Sequence, residues 1–212
     1  MRICCIADLH GYIVDVPDCD LLLLAGDYQT CKDGTNEWNK VYKPWINNIA
    51  ERGIKVVGVA GNHDWMFYNH KDGQIKDTNW TYLQDNCCEF KGYNIWGTPW
   101  QPRFYDWAFN LDEPDLKKRW DLIPNNTDIL LLHGPPRGYG DLLHPAQRAY
   151  PYERTGSPSL TAKITEIQPK LVVCGHIHSG FGIYQLGSTI IINAAMLNEN
   201  YRPVNNPVIV EI

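Results

Sequence analysis

Five short, nearly uninterrupted apolar runs, each stopped by a side chain able to ligate metal, constrain this chain more than any other feature. The runs 3–7, 21–25, 55–60, 129–132 and 171–174 are too apolar for strands with one wet face, so they read as strands buried on both sides. The segments that close them are polar and specific: Asp8-Leu9-His10, Gly26-Asp27, Gly61-Asn62-His63-Asp64, His133-Gly134 and Gly175-His176-Ile177-His178. Of the 7 histidines, only His70 and His144 lie outside these segments.

Taken singly, each segment has a plain structural reading. Asp-x-His is a helix cap beside a surface histidine, Gly-Asp is a turn, and Gly-Asn-His-Asp is a turn with Asn at positive φ. A lone His133 is a core histidine. His-x-His says more, because alternate strand residues share a face. Jointly the plain readings lose force. In layered α/β folds the ligand site lies beyond the carboxyl ends of the strands, where Asp8, Asp27, Asn62, His133 and His176 all fall. Imidazole nitrogens with carboxylate and amide oxygens suit divalent transition metals, and these donors fit two ions better than one. A pair of ions points to phosphoryl chemistry.

The remaining pattern fills in the layers. The stretches 88–90, 94–97, 182–185, 189–193 and 208–211 read as hairpin or antiparallel material, with Lys91-Gly92 a tight turn. Trp38, Val41, Tyr42, Trp45, Ile46, Ile49 and Ala50 share one helical face ending at Gly53, and Pro44 inside it predicts a kink or a broken pair. Shorter helices are expected at 114–120 and 159–168. The stretches 64–82 and 134–157 are rich in turn formers and read as loops around the site. Strand–helix–strand order makes the class α/β, and 212 residues without a linker or repeat make one domain, 1–212, the expectation.

Composition excludes several classes. A net charge of −5 argues against a broad basic surface for extended nucleic acid. The 7 cysteines include the adjacent pairs Cys4-Cys5 and Cys87-Cys88 and no C-x-x-C, so a thiolate zinc site is not expected. They read as reduced and mostly buried, which implies a cytoplasmic protein. Asp8 comes too early for a signal peptide, and the run 21–24 is far too short to span a membrane.

The ordered series Asp8-x-His10, Gly26-Asp27, Gly61-Asn62-His63-Asp64, His133-Gly134 and Gly175-His176-x-His178 resembles the calcineurin-like metallophosphoesterase family. Outside the ligands, Gly97-Thr98-Pro99-Trp100-Gln101-Pro102, Trp107-Ala108-Phe109-Asn110-Leu111, His133-Gly134-Pro135-Pro136, Asn193-Ala194-Ala195 and Tyr201-Arg202-Pro203-Val204-Asn205 look like its MPPED-type metallophosphodiesterases, which are similar to class III cyclic-nucleotide phosphodiesterases. That resemblance implies a four-layer α/β/β/α sandwich of two mixed sheets. It implies a first metal on Asp8, His10, Asp27 and His178, and a second on Asp27, Asn62, His133 and His176, with Asp27 bridging. Manganese is the first expectation for both, with iron, zinc or nickel compatible with the same donors.

The implied reaction is hydrolysis of small phosphodiesters, cyclic nucleotides foremost, by attack of a metal-bridging hydroxide on phosphorus. Asn62, His63 and His176 would meet the substrate. His63 would be the proton donor or transition-state stabiliser, with Asp64 either orienting it or capping a helix. The alternatives are a phosphomonoesterase or nucleotidase with the same centre, then a nuclease or a non-catalytic scaffold. A monomer or homodimer is expected. Trp65, Phe67, Tyr68, His70, Arg137 and Tyr139 are candidates for substrate selection, although packing of their own loops is the favoured reading. Arg103, Arg148 and Arg154 are candidates for phosphate, with solvation the commoner fate. Trp96, Trp100, Phe104 and Trp107 read as core between the sheets.

Overall fold

A computed structural model of the chain describes residues 1–30, 34–69, 78–150 and 153–212. The five apolar runs all become strands. The first sheet has the order β13-β1-β2-β3-β4, from β1 (Arg2–Ile6), β2 (Leu21–Ala25), β3 (Lys55–Val59), β4 (Thr81–Tyr82) and β13 (Val208–Glu211). Only β13 runs antiparallel to its neighbour. The second sheet contains β5 (Asn86–Phe90), β6 (Tyr93–Thr98), β9 (Ile129–Leu132), β10 (Leu171–Cys174), β11 (Gly182–Leu186) and β12 (Thr189–Asn193), ordered β11-β12-β10-β9-β6-β5. Its four middle strands are parallel, and the hairpins β5–β6 and β11–β12 close its edges. A small parallel ribbon joins β7 (Gln101–Pro102) to β8 (Asn110–Leu111).

Alternation along the strands builds the layers. Ile3, Cys5, Leu21, Leu23, Val57 and Val59 of the first sheet share one buried cluster with Ile95, Ile129, Leu131, Leu171, Val173 and Ile192 of the second, so these faces meet each other. The intervening residues Cys4, Ile6, Leu22, Leu24, Leu130, Leu132, Val172 and Cys174 turn outward to the helices. Against them pack Ile46 and Ile49 of α2 (Lys43–Glu51), Leu116 and Trp120 of α4 (Glu113–Trp120), and Leu160 and Ile164 of α5 (Pro158–Ile167). The fold is thus the expected helix–sheet–sheet–helix sandwich of two mixed sheets.

The helical stretch before β3 shows how Pro44 is accommodated. It begins as α1 (Thr35–Glu37), widens into a π-helical turn (Trp38–Tyr42), and resumes as α2. The Lys43 amide reaches back to the Trp38 carbonyl, the longer bond of a π turn, just before the residue that lacks a donor. The chain stays helical from 35 to 51, so in place of a kink or a broken pair Pro44 is met by a change from π to α turns at Lys43.

Several local expectations change. The stretch 64–82 contains α3 (Trp65–Tyr68) and β4 as well as loop. Trp96 and Trp100 are buried, but on the helix-facing side of the second sheet and not between the sheets. Phe104, at 54% exposed, is no core residue at all. Among the described residues no disulfide forms; Cys4, Cys5 and Cys174 are buried, while Cys87 is exposed. Cys31 and His70 lie outside the described residues. No helix among the described residues is long and apolar enough to cross a membrane.

Candidate metal centre

Five loops leave the carboxyl ends of β1, β2, β3, β9 and β10 and bring Asp8, Asp27, Asn62, His133 and His176 together. Backbone bonds tie them: the Asp8 amide donates to the Gly26 carbonyl at 3.0 Å and the His10 amide to the Asp27 carbonyl at 3.0 Å. Across the sheets, the His176 amide donates to the Asp8 carboxylate at 3.0 Å. The segment after β12 stitches the same end shut. The Ala194 amide donates to Cys174 in one sheet, and the Ala7 amide donates back to Ala194 from the other.

The conformation of these loops is costly. Asp8, His10, Asp27 and His176 have φ of 56°, 40°, 55° and 67°, in the left-handed region that residues with a Cβ seldom enter. Close approach adds a second demand. A Cβ on Gly61 lies 2.2 Å from Asp27 Oδ1 and 2.6 Å from the His133 ring, so only glycine lets β3 end this near the cluster.

The side chains form three overlapping donor groups: Asp8 with His10 and His178, Asp27 with His133 and His176, and His10 with Asp27 and His63. Within each group one ligand atom from each residue lies within 4.8 Å of those of the others. Asp27 Oδ2 sits 3.6 Å from His10 Nε2 and 3.4 Å from His133 Nε2, between the first two groups. Asn62 Oδ1 is 3.0 Å from His133 Nε2. His178 Nε2 is 3.6 Å from Asp8 Oδ1. All seven expected metal-binding residues therefore converge.

The donor set fits divalent ions. Both nitrogens of His10 are buried with no hydrogen-bond partner among the described residues, a costly state that ligation relieves at one of them. His133 Nδ1 lies 2.8 Å from the Ala25 carbonyl and His178 Nδ1 2.9 Å from the Asn198 carbonyl. A carbonyl only accepts, so each Nδ1 carries a proton and each Nε2 is the nitrogen turned toward the cluster, available to a metal once it is deprotonated. Burial pulls the pKa of His10 down to about 4 and that of His176 to about 3, which keeps both rings neutral. His133 and His178 feel the same burial, but the Asp27 and Asp8 carboxylates outweigh it and raise both to about 9 in the metal-free chain.

Asp64 departs from both roles expected for it. Its buried carboxylate caps no amide of α3 and makes no hydrogen bond to the His63 ring. It accepts instead from the amides of Asp27, Tyr28, Gln29 and Gly61, at 2.8, 3.0, 3.2 and 2.7 Å. Asp64 thus clamps the loop after β2 to the loop after β3. The His63 amide donates to Asp27 Oδ1 at 2.8 Å, and its ring stands edge-on to His10 at 4.5 Å.

Above the cluster opens a cleft of about 440 Å³. His10, Asp27, Asn62, His63, His176 and His178 line its floor, and Phe104, Tyr105, Trp107 and Tyr201 its walls. Trp107, expected between the sheets, stacks on His63 instead. Tyr201 stands 4.9 Å from His10 and 5.4 Å from His178, ring centre to ring centre. In the sequence Tyr201 carried no signal beyond its place in the family-like tail. Phe67 is buried in the core, and Trp65, Tyr68, Arg137 and Tyr139 do not line this cleft. Arg154 pairs with Asp141, and Arg148 bonds the Leu143 carbonyl. Arg103 lines the cleft but is paired with Asp112 at 2.8 Å.

A two-sheet sandwich with this donor set at its strand ends defines a metal-dependent phosphoesterase, and the chain belongs to the calcineurin-like phosphoesterase family, whose signature matches residues 1–180. It is similar to metallophosphoesterase domain-containing protein 1 of Homo sapiens, with 33% identity, 100% of this chain and 71% of that protein covered. It is also similar to UPF0046 protein T07D4.2 of Caenorhabditis elegans, at 35% identity over 100% of this chain and 60% of that protein. The crystal structure of TT1561 of Thermus thermophilus shares the fold, with a TM-score of 0.58, 15% identity, and 91% and 88% of the two chains covered.

Proposed function

We propose that the chain is a dinuclear phosphodiesterase for small phosphodiesters, cyclic nucleotides foremost. Asp8, His10, Asp27 and His178 would hold one ion, and Asp27, Asn62, His133 and His176 the other, with manganese the first candidate for both. When bound, such a pair lowers the pKa of water and neutralises charge on phosphoryl oxygens. His63 supplies the proton that the leaving oxygen needs once its bond to phosphorus breaks, and Asn62 and His176 orient the phosphate from the floor. The cleft has the size of a small-molecule site, and its aromatic walls suit a planar base.

One observation carries the choice of a diester. Arg103 is the only lysine or arginine among the described residues lining the cleft, it is already paired, and Glu199 lies there too. A dianionic monoester gains little from such walls, whereas a monoanionic diester needs no cation beyond the metal centre. The test is turnover of bis(p-nitrophenyl) phosphate against p-nitrophenyl phosphate by the manganese-loaded protein, with Asp27→Ala as control. The diester should be strongly preferred, and Asp27→Ala should lose activity together with both metals. Preference for the monoester overturns the reading, and full metal content in Asp27→Ala overturns the shared-ligand assignment. A panel of 2′,3′- and 3′,5′-cyclic nucleotides then reads the base and ring preference.

A further inference from the structure

We propose that Trp107 is the positioning residue for His63, holding the imidazole at the angle its chemistry requires; this rests on the proton-donor role given to His63 above. The His63 ring is half-buried and, among the described residues, no hydrogen bond holds it. Asp64, the expected partner, spends its oxygens on backbone amides. The Asp27 carboxylate lies within 4.8 Å of one ring nitrogen, and the ring's face and edge contacts are aromatic. Trp107 lies face to face with it, centres 4.3 Å apart and planes 27° apart, and His10 meets it edge-on at 86°. Face-to-face contact fixes the tilt of an imidazole while leaving both nitrogens, which lie on its rim, uncovered by the indole. A carboxylate partner occupies one of them.

Trp107 is itself anchored to the peptide beside His63. It lies between β7 and β8, and the next residue, Ala108, donates its amide to the Asn62 carbonyl at 3.3 Å. The buried Gln101 side chain holds that turn by donating Nε2 to the Ala108 carbonyl at 3.0 Å and to Asn110 Oδ1 at 3.0 Å. The ribbon therefore carries the indole and the Asn62–His63 backbone as one unit. Trp107 is not core filler, since it lines the cleft wall beside exposed Phe104 and Tyr105.

The test compares Trp107→Phe, which keeps a flat ring, with Trp107→Leu, which keeps apolar bulk only, each alone and with His63→Ala. Steady-state rates are measured on the manganese-loaded protein with bis(p-nitrophenyl) phosphate. Trp107→Leu should lower kcat about ten- to hundredfold with KM nearly unchanged, the mark of lost alignment. Trp107→Phe should keep most of kcat. Trp107→Leu should cost nothing further once His63 is alanine, because the two act as a unit. A raised KM with unchanged kcat, or the same loss on the His63→Ala background, overturns the proposal. It would mean that Trp107 touches substrate or supports the fold.

A second readout needs no metal and no turnover. The carbon-bound ring protons of His63, identified by their loss in His63→Ala, should be shifted upfield by the indole ring current and return in Trp107→Leu. Unmoved signals overturn the stacking whatever the rates. A full rate in His63→Ala alone overturns the catalytic reading of His63, and so separates that failure from a failure of Trp107 to position the ring.

Discussion

At the scale of single residues, the centre is built from conformations and contacts that folding alone disfavours. The left-handed backbones of Asp8, His10, Asp27 and His176 each cost on the order of 1–3 kcal/mol, held by the loop hydrogen bonds around them. Gly61→Ala places a methyl group against the Asp27 carboxylate and the His133 ring, and neither is free to yield. That variant should fold, yet bind metal at a fraction of the wild-type stoichiometry, read by elemental analysis after dialysis.

Protonation gives a second expectation at this scale. His133 and His178, ordinarily near 6.5, are raised to about 9 in the metal-free chain, burial being outweighed by Asp27 and Asp8. Their charged pairs stabilise the metal-free fold fully below 6.5, and that contribution is lost as pH rises through about 9. Ligation needs the neutral rings. Metal affinity should therefore climb across the same window, and binding at about pH 7.5 should release protons. Calorimetric titration in buffers of different ionisation enthalpy reads the release, and a heat independent of buffer would refute it.

At the scale of elements, strands supply direction and the loops beyond them supply chemistry. The run of leucines in β2 is buried on both faces, and its helical neighbours and β9 fill the space on either side. Asp64 decides how the loops after β2 and β3 sit, because one carboxylate satisfies four amides from both. Asp64→Ala should strand those buried donors and lower stability by about 3 kcal/mol or more, measured by urea unfolding of the metal-free protein. Metal binding should weaken with it, because the Asp27 backbone is among the groups released.

At the scale of the whole molecule, the centre joins the two sheets. Asp8, His10, Asp27 and Asn62 come from loops of the first sheet, and His133, His176 and His178 from loops of the second. Metal held there would cross-link the layers in the native state only. Manganese at about a hundredfold excess over its dissociation constant should add about 2.7 kcal/mol of stability, seen as a concentration-dependent rise in Tm that a chelator reverses. A Tm indifferent to metal would contradict a site that spans both sheets.

The strands, their burial on both faces and the donors at their ends were legible in the chain because each is a local signal. An apolar run such as 171–174 declares its own burial, and Cys174-Gly175-His176-Ile177-His178 carries its own donors. Pro44 likewise announced a local irregularity in its helix before any partner was known. The positions of Asp64 and Trp107 were not legible in this way. Asp64 meets amides up to 37 residues away in sequence, and nothing near it states that they converge. Trp107 rides on a ribbon of two-residue strands, too short for any periodicity, so a tryptophan there looks like core. Sequence alone determined which donors the molecule has and that strand ends deliver them. Tertiary structure decided which group holds which, because hydrogen bonds and ring contacts between distant loops form only after the sheets have packed.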